Sequence, residues 1–488
     1  MRPSLTVTIA FAAALLVTPT VGAREGMPRA AADLVVSAPA AGTRTGTTGN
    51  VADLRASIPA VGLRTNTATD TSDLGASNTA GELIRVETLP NGVTLLIEER
   101  PGCGTFAIET TAMPGSIADP DDLLGLTSLL GRMLLRGSET ITAADQAQRV
   151  ARTGSSLDAR GSTSGVTLSA SGPATGFMEV FDVLADAALH PLFDGEDLRK
   201  EIALARQSLR SSMDSGSSAL TRAALPVVYG SHPLGRVARD PESYLVTAGV
   251  DAVRRVYSER FVGRRVVVII VGAVEGAAAY DRVVQTFGIL PEGAALPPAP
   301  ASPQPLTAEI RKRERRRTSQ PEILVAMPTR GVADDDAPAM DVLAHILGGF
   351  QERLSAALRE KRGWAYWLGA WDVRHTGAGL FGIRTAVPRR HLPETEQIIK
   401  EAFASIAAAP PTAEEVDRAQ QYLLTSLARS WQQSDARAYA FDAAWTHGRP
   451  IRTYAEIAAR YERVTPEIVQ TLARRLMDSS KLAVVTLY

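Results

Sequence analysis

Six histidines and one cysteine are the soft ligands and proton acceptors available to this chain of 488 residues. The histidines are His190, His232, His345, His375, His391 and His447, and no two stand four residues apart. The two-histidine metal helix uses that spacing, because residues i and i+4 share a face. Ser128 has no histidine near it in sequence to take its proton, so no nucleophilic Ser–His pair is legible. Cys103 is alone, which excludes a disulfide within the chain. Arg311 to Arg317 carries six basic residues in seven. That run reads as a solvated strand or linker, with a polyanion or an acidic partner face as the alternative. Trp364, Trp367 and Trp371 surround Tyr366 and read as core or cleft packing, or as contact with a peptide's apolar side chain.

The elements that must position such groups begin well inside the chain. Arg2, the apolar run Leu5 to Val17 and the small residues around Ala23 make residues 1–23 a secretory signal peptide. The run is shorter than the roughly 20 apolar residues of a membrane span. A periplasmic or secreted location follows as an expectation. Residues 24–82 are rich in Ala, Thr, Gly and Ser and repeat imperfectly every twenty residues, with Asp33-Leu34, Asp53-Leu54 and Asp73-Leu74 in register. So little apolar surface predicts a disordered tether. Net charge is −1, with 45% hydrophobic and 22% charged residues, so no global field draws the chain to nucleic acid.

Folded sequence is expected from 83 onward. Asn91-Gly92 sits between two strand-like runs and predicts a hairpin. A strand over 106–112, a helix over 123–135, a helix capped by Thr142, a strand near 166–170 and helices over 174–189 and 195–212 come next. Arg265 to Val271 reads as a buried strand. The Pro- and Ala-rich stretch 291–305 reads as a linker between a first domain (83–290) and a second (306–488). The second repeats the order of the first: a strand over 323–326, helices over 337–347 and 350–360, and a long helix opened by the Thr412/Glu415 capping box. Ala112-Met113-Pro114 and Ala118-Asp119 have echoes in Ala326-Met327-Pro328 and Ala333-Asp334, which suggests duplication.

Gly125-Leu-Thr-Ser-Leu-Leu-Gly-Arg-Met-Leu-Leu-Arg-Gly-Ser-Glu139 resembles the metal-binding helix of the insulinase-like, or pitrilysin-type (M16), zinc peptidases. Their H-x-x-E-H signature places two imidazoles on one helical face and a Glu one turn away as base. Under this resemblance those positions are Ser128, Gly131 and Arg132. The family's third ligand falls on Ser208, and a Glu that the family keeps nearby falls on Glu201. A guanidinium has no lone pair to donate and stays charged, so Arg132 repels a cation. Gly348-Gly349-Phe350 to Tyr366 resembles the family's C-terminal domain, where an Arg and a Tyr bind the substrate carbonyl and steady the oxyanion. Arg359 and Tyr366 match them.

The resemblance implies an α+β fold of two homologous domains, each a mixed β-sheet with helices packed on one face. It also implies Leu157-Asp158-Ala159 on a substrate-binding edge strand. This chain is then the non-catalytic subunit of a heterodimeric zinc peptidase, binding no metal itself and showing no zinc-dependent activity alone. An H-x-x-E-H-bearing homologue supplies zinc and base, and a peptide is the substrate. The alternative is a degenerate scaffold or peptide-binding protein with no part in hydrolysis.

Overall fold

Local turn chemistry opens the first sheet. Gly92 takes φ +91°, a conformation only glycine adopts freely, while the Asn91 side chain donates to the carbonyls of Phe287 and Leu290 at 2.9 and 3.0 Å. The computed structural model describes residues 78–79 and 82–488, apart from 239, 241, 242, 317–319, 330, 332, 333 and 479. The expected signal peptide and nearly all of the repeated tether lie outside the described residues.

The first half runs β1 (Asn78–Thr79), β2 (Glu82–Thr88), β3 (Thr94–Glu99), β4 (Thr105–Ala112), α1 (Leu126–Leu134), α2 (Ala143–Arg152), β5 (Ser156–Gly161), β6 (Val166–Pro173), α3 (Phe177–Leu189), α4 (Gly195–Asp214), α5 (Gly216–Tyr229), α6 (Val250–Arg260), β7 (Val266–Gly272) and α7 (Gly276–Phe287). Residues 291–305 carry no helix or strand. The second half runs β8 (Ile310–Glu314), β9 (Glu322–Thr329), α8 (Ala337–Gly348), the short α9 (Arg353–Ser355) with a π-helical turn Ala356–Glu360, β10 (Leu368–His375), β11 (Ala378–Ala386), α10 (Leu392–Ala408), α11 (Ala413–Ser430), α12 (Ser434–Thr446), α13 (Tyr454–Glu462), α14 (Pro466–Leu476) and β12 (Ala483–Leu487).

Strand order is β1-β2-β3-β7-β4-β6-β5 in one sheet and β10-β11-β9-β12-β8 in the other. β7 lies parallel to β3 and antiparallel to β4, just as β12 lies parallel to β8 and antiparallel to β9. β4, β6 and β5 therefore correspond to β9, β11 and β10, and the two mixed sheets are copies of one topology. β7 reads Val-Val-Val-Ile-Ile-Val-Gly and is buried along its whole length, as a strand covered on both faces must be.

Each half lays its own helices on one face of its sheet. α1, α3, α6 and α7 pack there on the first, and α8, α10 and α14 on the second. The opposite faces are closed by exchange. α5, from the first half, places Leu220, Ala223 and Val228 against Leu324, Leu380 and Val485 of the second sheet. α11 to α13, from the second half, bring Leu427, Phe441 and Tyr461 to Leu96, Val267 and Ile269 of the first. A buried ion pair crosses the latter interface, with Arg437 donating to Glu98 at 2.7 Å.

Candidate functional site

α1 is fixed at its start by a carboxylate. Gly125 caps it at φ +96°, and the fully buried Asp119 accepts from the Gly125 and Thr127 amides at 3.0 and 3.2 Å. A negative group at a helix N-terminus satisfies orphan donors and complements the dipole. Arg260 pairs with the same carboxylate at 3.1 Å. Burial pulls the Arg260 guanidinium down and Asp119 holds it up, with burial prevailing.

Ser128, Gly131 and Arg132, the positions that the resemblance aligns with the family's metal signature, lie along this helix. Gly131 sits against the edge strand β5. A Cβ there would come within 2.8 Å of the Arg160 carbonyl carbon and the Gly161 amide, and a Cβ on Gly161 within 2.3 Å of the Thr127 carbonyl oxygen. The backbones meet where the family's base would stand, leaving no space for it. Arg132 turns instead to the buried Glu201 of α4, 3.7 Å away, and Arg136 bonds the same carboxylate. Glu201 is thus beside α1, as its sequence register predicts, with two guanidiniums as its partners. Ser208 lies two turns further along α4. A hydroxyl at Ser128 and at Ser208, no side chain at 131 and a cation at 132 do not fit zinc. Among the described residues no group of three His, Cys, Asp or Glu could hold a metal ion.

Beside α1 opens a cleft of about 350 Å³ that includes Ser128, Thr221, Arg222, Arg236 and Tyr244 in its lining. Burial lifts the Tyr244 phenol, with Asp119 adding and Arg132 and Arg222 opposing. Sequence reading missed Arg222 and Tyr244. Arg222 is on α5, whose start makes no side-chain cap bond, and Tyr244 lies outside any helix or strand.

In the second half, Arg359 and Tyr366 bracket a tight reversal. Gly363, at φ +65°, donates to the Arg359 carbonyl at 2.9 Å, and Trp364 and Ala365 both donate to Leu358. Leu358 and Ala365 are buried together, and their chain neighbours Arg359 and Tyr366 are exposed, Tyr366 by 75%. The Arg359 guanidinium lies over the exposed Phe350 ring at 5.3 Å. Arg353 clamps the turn from behind, bidentate to Glu415 at 2.6 and 2.8 Å. Among the described residues the side chains of Arg359 and Tyr366 make no hydrogen bond or ion pair.

The other sequence candidates resolve as packing. Trp364 stacks on His391 at 3.9 Å. Trp367 and Trp371 flank Arg384 at 5.2 and 5.9 Å. Of the three, only Trp371 lies on a strand, β10; Trp364 and Trp367 precede it because the reversal delays pairing. The start of the basic run, Arg311 to Arg313, lies on edge strand β8, with Arg311 paired to Glu396; Arg316, past the strand's end, pairs with Glu314. His375 and His447 stack at 5.9 Å.

A duplicated α+β fold with an α1 that carries no imidazole and an exposed Arg/Tyr pair defines a peptidase-like protein. The chain belongs to the M16 peptidase family. It matches "Insulinase (Peptidase family M16)" over residues 105–242 and "Peptidase M16 inactive domain" over residues 248–423. It is 24% identical over 396 residues to the uncharacterized zinc protease YmxG of Bacillus subtilis, covering 81% of this chain and 96% of that one. An uncharacterized zinc protease of Streptomyces coelicolor is also 24% identical, with coverage of 81% and 87%. The fold is shared with the crystal structure of a peptidase M16 inactive domain from Pseudomonas fluorescens, at TM-score 0.76 and 20% identity, covering 83% of this chain and 97% of that one. A protease from Helicobacter pylori matches at 0.76 and 13%, covering 83% and 99%. No helix among the described residues is long and apolar enough to cross a membrane.

Proposed function

We propose that this chain is the Arg/Tyr subunit of a two-chain M16 zinc peptidase that works outside the cytoplasm. It lends Arg359 and Tyr366 to a site whose zinc and base reside on a homologous partner. The supporting observation is the pair itself: a guanidinium and a phenol, both solvent-facing and without an acidic partner among the described residues, on a turn clamped by Arg353–Glu415. Arg359 binds the scissile carbonyl oxygen as a fixed cation, and Tyr366 donates its O–H to the oxygen as negative charge builds. Donors held in place in advance lower the barrier without moving a proton. Edge strand β5, whose outer side has no neighbouring strand in the sheet, offers the peptide backbone a ladder to join.

The test is peptide cleavage by this chain co-expressed with an exported homologue that keeps H-x-x-E-H. Arg359→Ala and Tyr366→Phe are each expected to lower kcat by about 10²–10³-fold with little change in KM, as loss of one oxyanion donor does. Turnover by the partner alone at the full rate, or unchanged turnover in both variants, would discard the role in catalysis. Peptide binding without partner-dependent turnover would assign the chain to binding alone.

A further inference from the structure

We propose that the cleft beside α1 is a carboxylate-binding pocket centred on Arg222, which takes the C-terminal carboxylate or an acidic side chain of a peptide. Arg222 lies on α5, is partly buried in the cleft lining, and has neither hydrogen bond nor ion pair among the described residues. The neighbouring charges do not neutralise it. Asp119, the one carboxylate in the lining among the described residues, is taken by Arg260, the α1 amides and the Thr127 hydroxyl. Arg236 is held by Asp121 at 3.0 Å and by the carbonyls of Asp119 and Ile117 at 2.7 and 2.6 Å. Arg316 adds further positive charge, and burial pulls the Arg222 guanidinium down.

A charge taken out of water without a partner is destabilising. A guanidinium fork is shaped for a carboxylate, which it binds through two parallel charge-assisted bonds. The Tyr244 hydroxyl, in the same lining, is a donor to an oxygen that the fork leaves. Ser128, where the family puts its first imidazole, is too small to block the cleft. The volume, about 350 Å³, is at the lower end of the range for small-ligand sites and suits the end of a peptide rather than a folded partner. The site that lost its affinity for a cation therefore presents a fixed cation to an anion. The choice of a peptide as ligand rests on the reading above; the pocket does not.

The experiment measures binding of fluorescent peptides to the whole chain without a partner. One peptide has a free C-terminal carboxylate and no acidic residue, the second is its C-terminal amide, and the third is that amide with one internal Glu. Binding of the first or third but not the second supports the pocket, and which of them binds identifies the carboxylate's source. Arg222→Met is expected to weaken that binding about 10-fold or more, the scale of a lost charged hydrogen bond, and to leave the melting temperature unchanged or raised. Equal binding of all three peptides, or equal binding by Arg222→Met, would overturn the proposal. Should the variant not fold, competition on the native protein decides: N-acetyl amino acids must displace the bound peptide, and failure to do so, or equal displacement by their amides, refutes it. The assay involves no hydrolysis, so its failure leaves Arg359 and Tyr366 untouched, and theirs leaves the pocket untouched.

Discussion

At the scale of single residues, the backbone as well as the side chains of α1 are unsuited to a metal ion. Arg132 offers no lone pair and faces the carboxylate of Glu201, while Gly131 marks a near-contact between α1 and β5. Gly131→Ala should lower stability by on the order of 1 kcal/mol in urea unfolding. The cost of forcing a methyl against backbone, about 1–3 kcal/mol, outweighs the roughly 1 kcal/mol that alanine gains in a helix. A rise in stability would show that α1 can slide off the strand. By the same reasoning, Ser128→His, Gly131→Glu and Arg132→His combined should not yield stoichiometric zinc in metal analysis of the purified protein, because the Glu has no room. The residue types at 128, 131 and 132 could be read from the sequence directly. The sequence could not display Gly131's approach to Gly161, which joins residues thirty positions apart.

At the scale of elements, α1 stands or falls with the buried pair at its start. Asp119 serves two amides, the Thr127 hydroxyl and one guanidinium, and the Asp119 and Arg260 side chains are almost wholly out of water. Asp119→Ala should cost about 3–5 kcal/mol by stranding the Arg260 charge. Asp119→Ala with Arg260→Met should recover a large part of it, as read by denaturant midpoints. A double variant no better than the single would locate the loss in the cap rather than the stranded charge. Elements with local signatures were legible: the Asn91-Gly92 turn, the Thr142 cap and the Thr412/Glu415 capping box depend on neighbours in sequence. α5 was not, because its start has no side-chain cap bond and its apolar face is matched only by strands a hundred residues onward. Arg222 was hidden with it. The register of Glu201 against α1 was legible, since it needed only a counted spacing from a recognisable helix.

At the scale of the whole molecule, the halves are similar in topology but not independent. Each sheet owes the cover of its second face to helices from the other half, and the Glu98–Arg437 pair is buried in one such contact. Calorimetry should therefore show one cooperative transition, and two separate ones would contradict the interlock. Nothing in either half's own sequence names the partner of α5 or α12, so this exchange was invisible before the fold. Acid sensitivity is a second property of the packed molecule. His232 follows α5, His375 ends β10 and His447 follows α12, and the Nε2 atoms of His232 and His447 are buried without a partner. Burial first, then His447, His232 and Arg449, bring His375 down to about 3; burial and Arg449 bring His447 down to about 4. The unfolded chain takes up these protons as pH falls through about 6.5, whereas the folded chain refuses them until far lower. The stability these neutral rings contribute is complete above that point and drains as pH falls toward 4 and 3, by on the order of 1.4 kcal/mol per pH unit for each ring. His447→Gln should flatten the fall of the urea midpoint between about pH 6.5 and 4 relative to the native chain. Parallel curves for the two proteins would mean that His447 takes its proton in the folded state as readily as in the unfolded one.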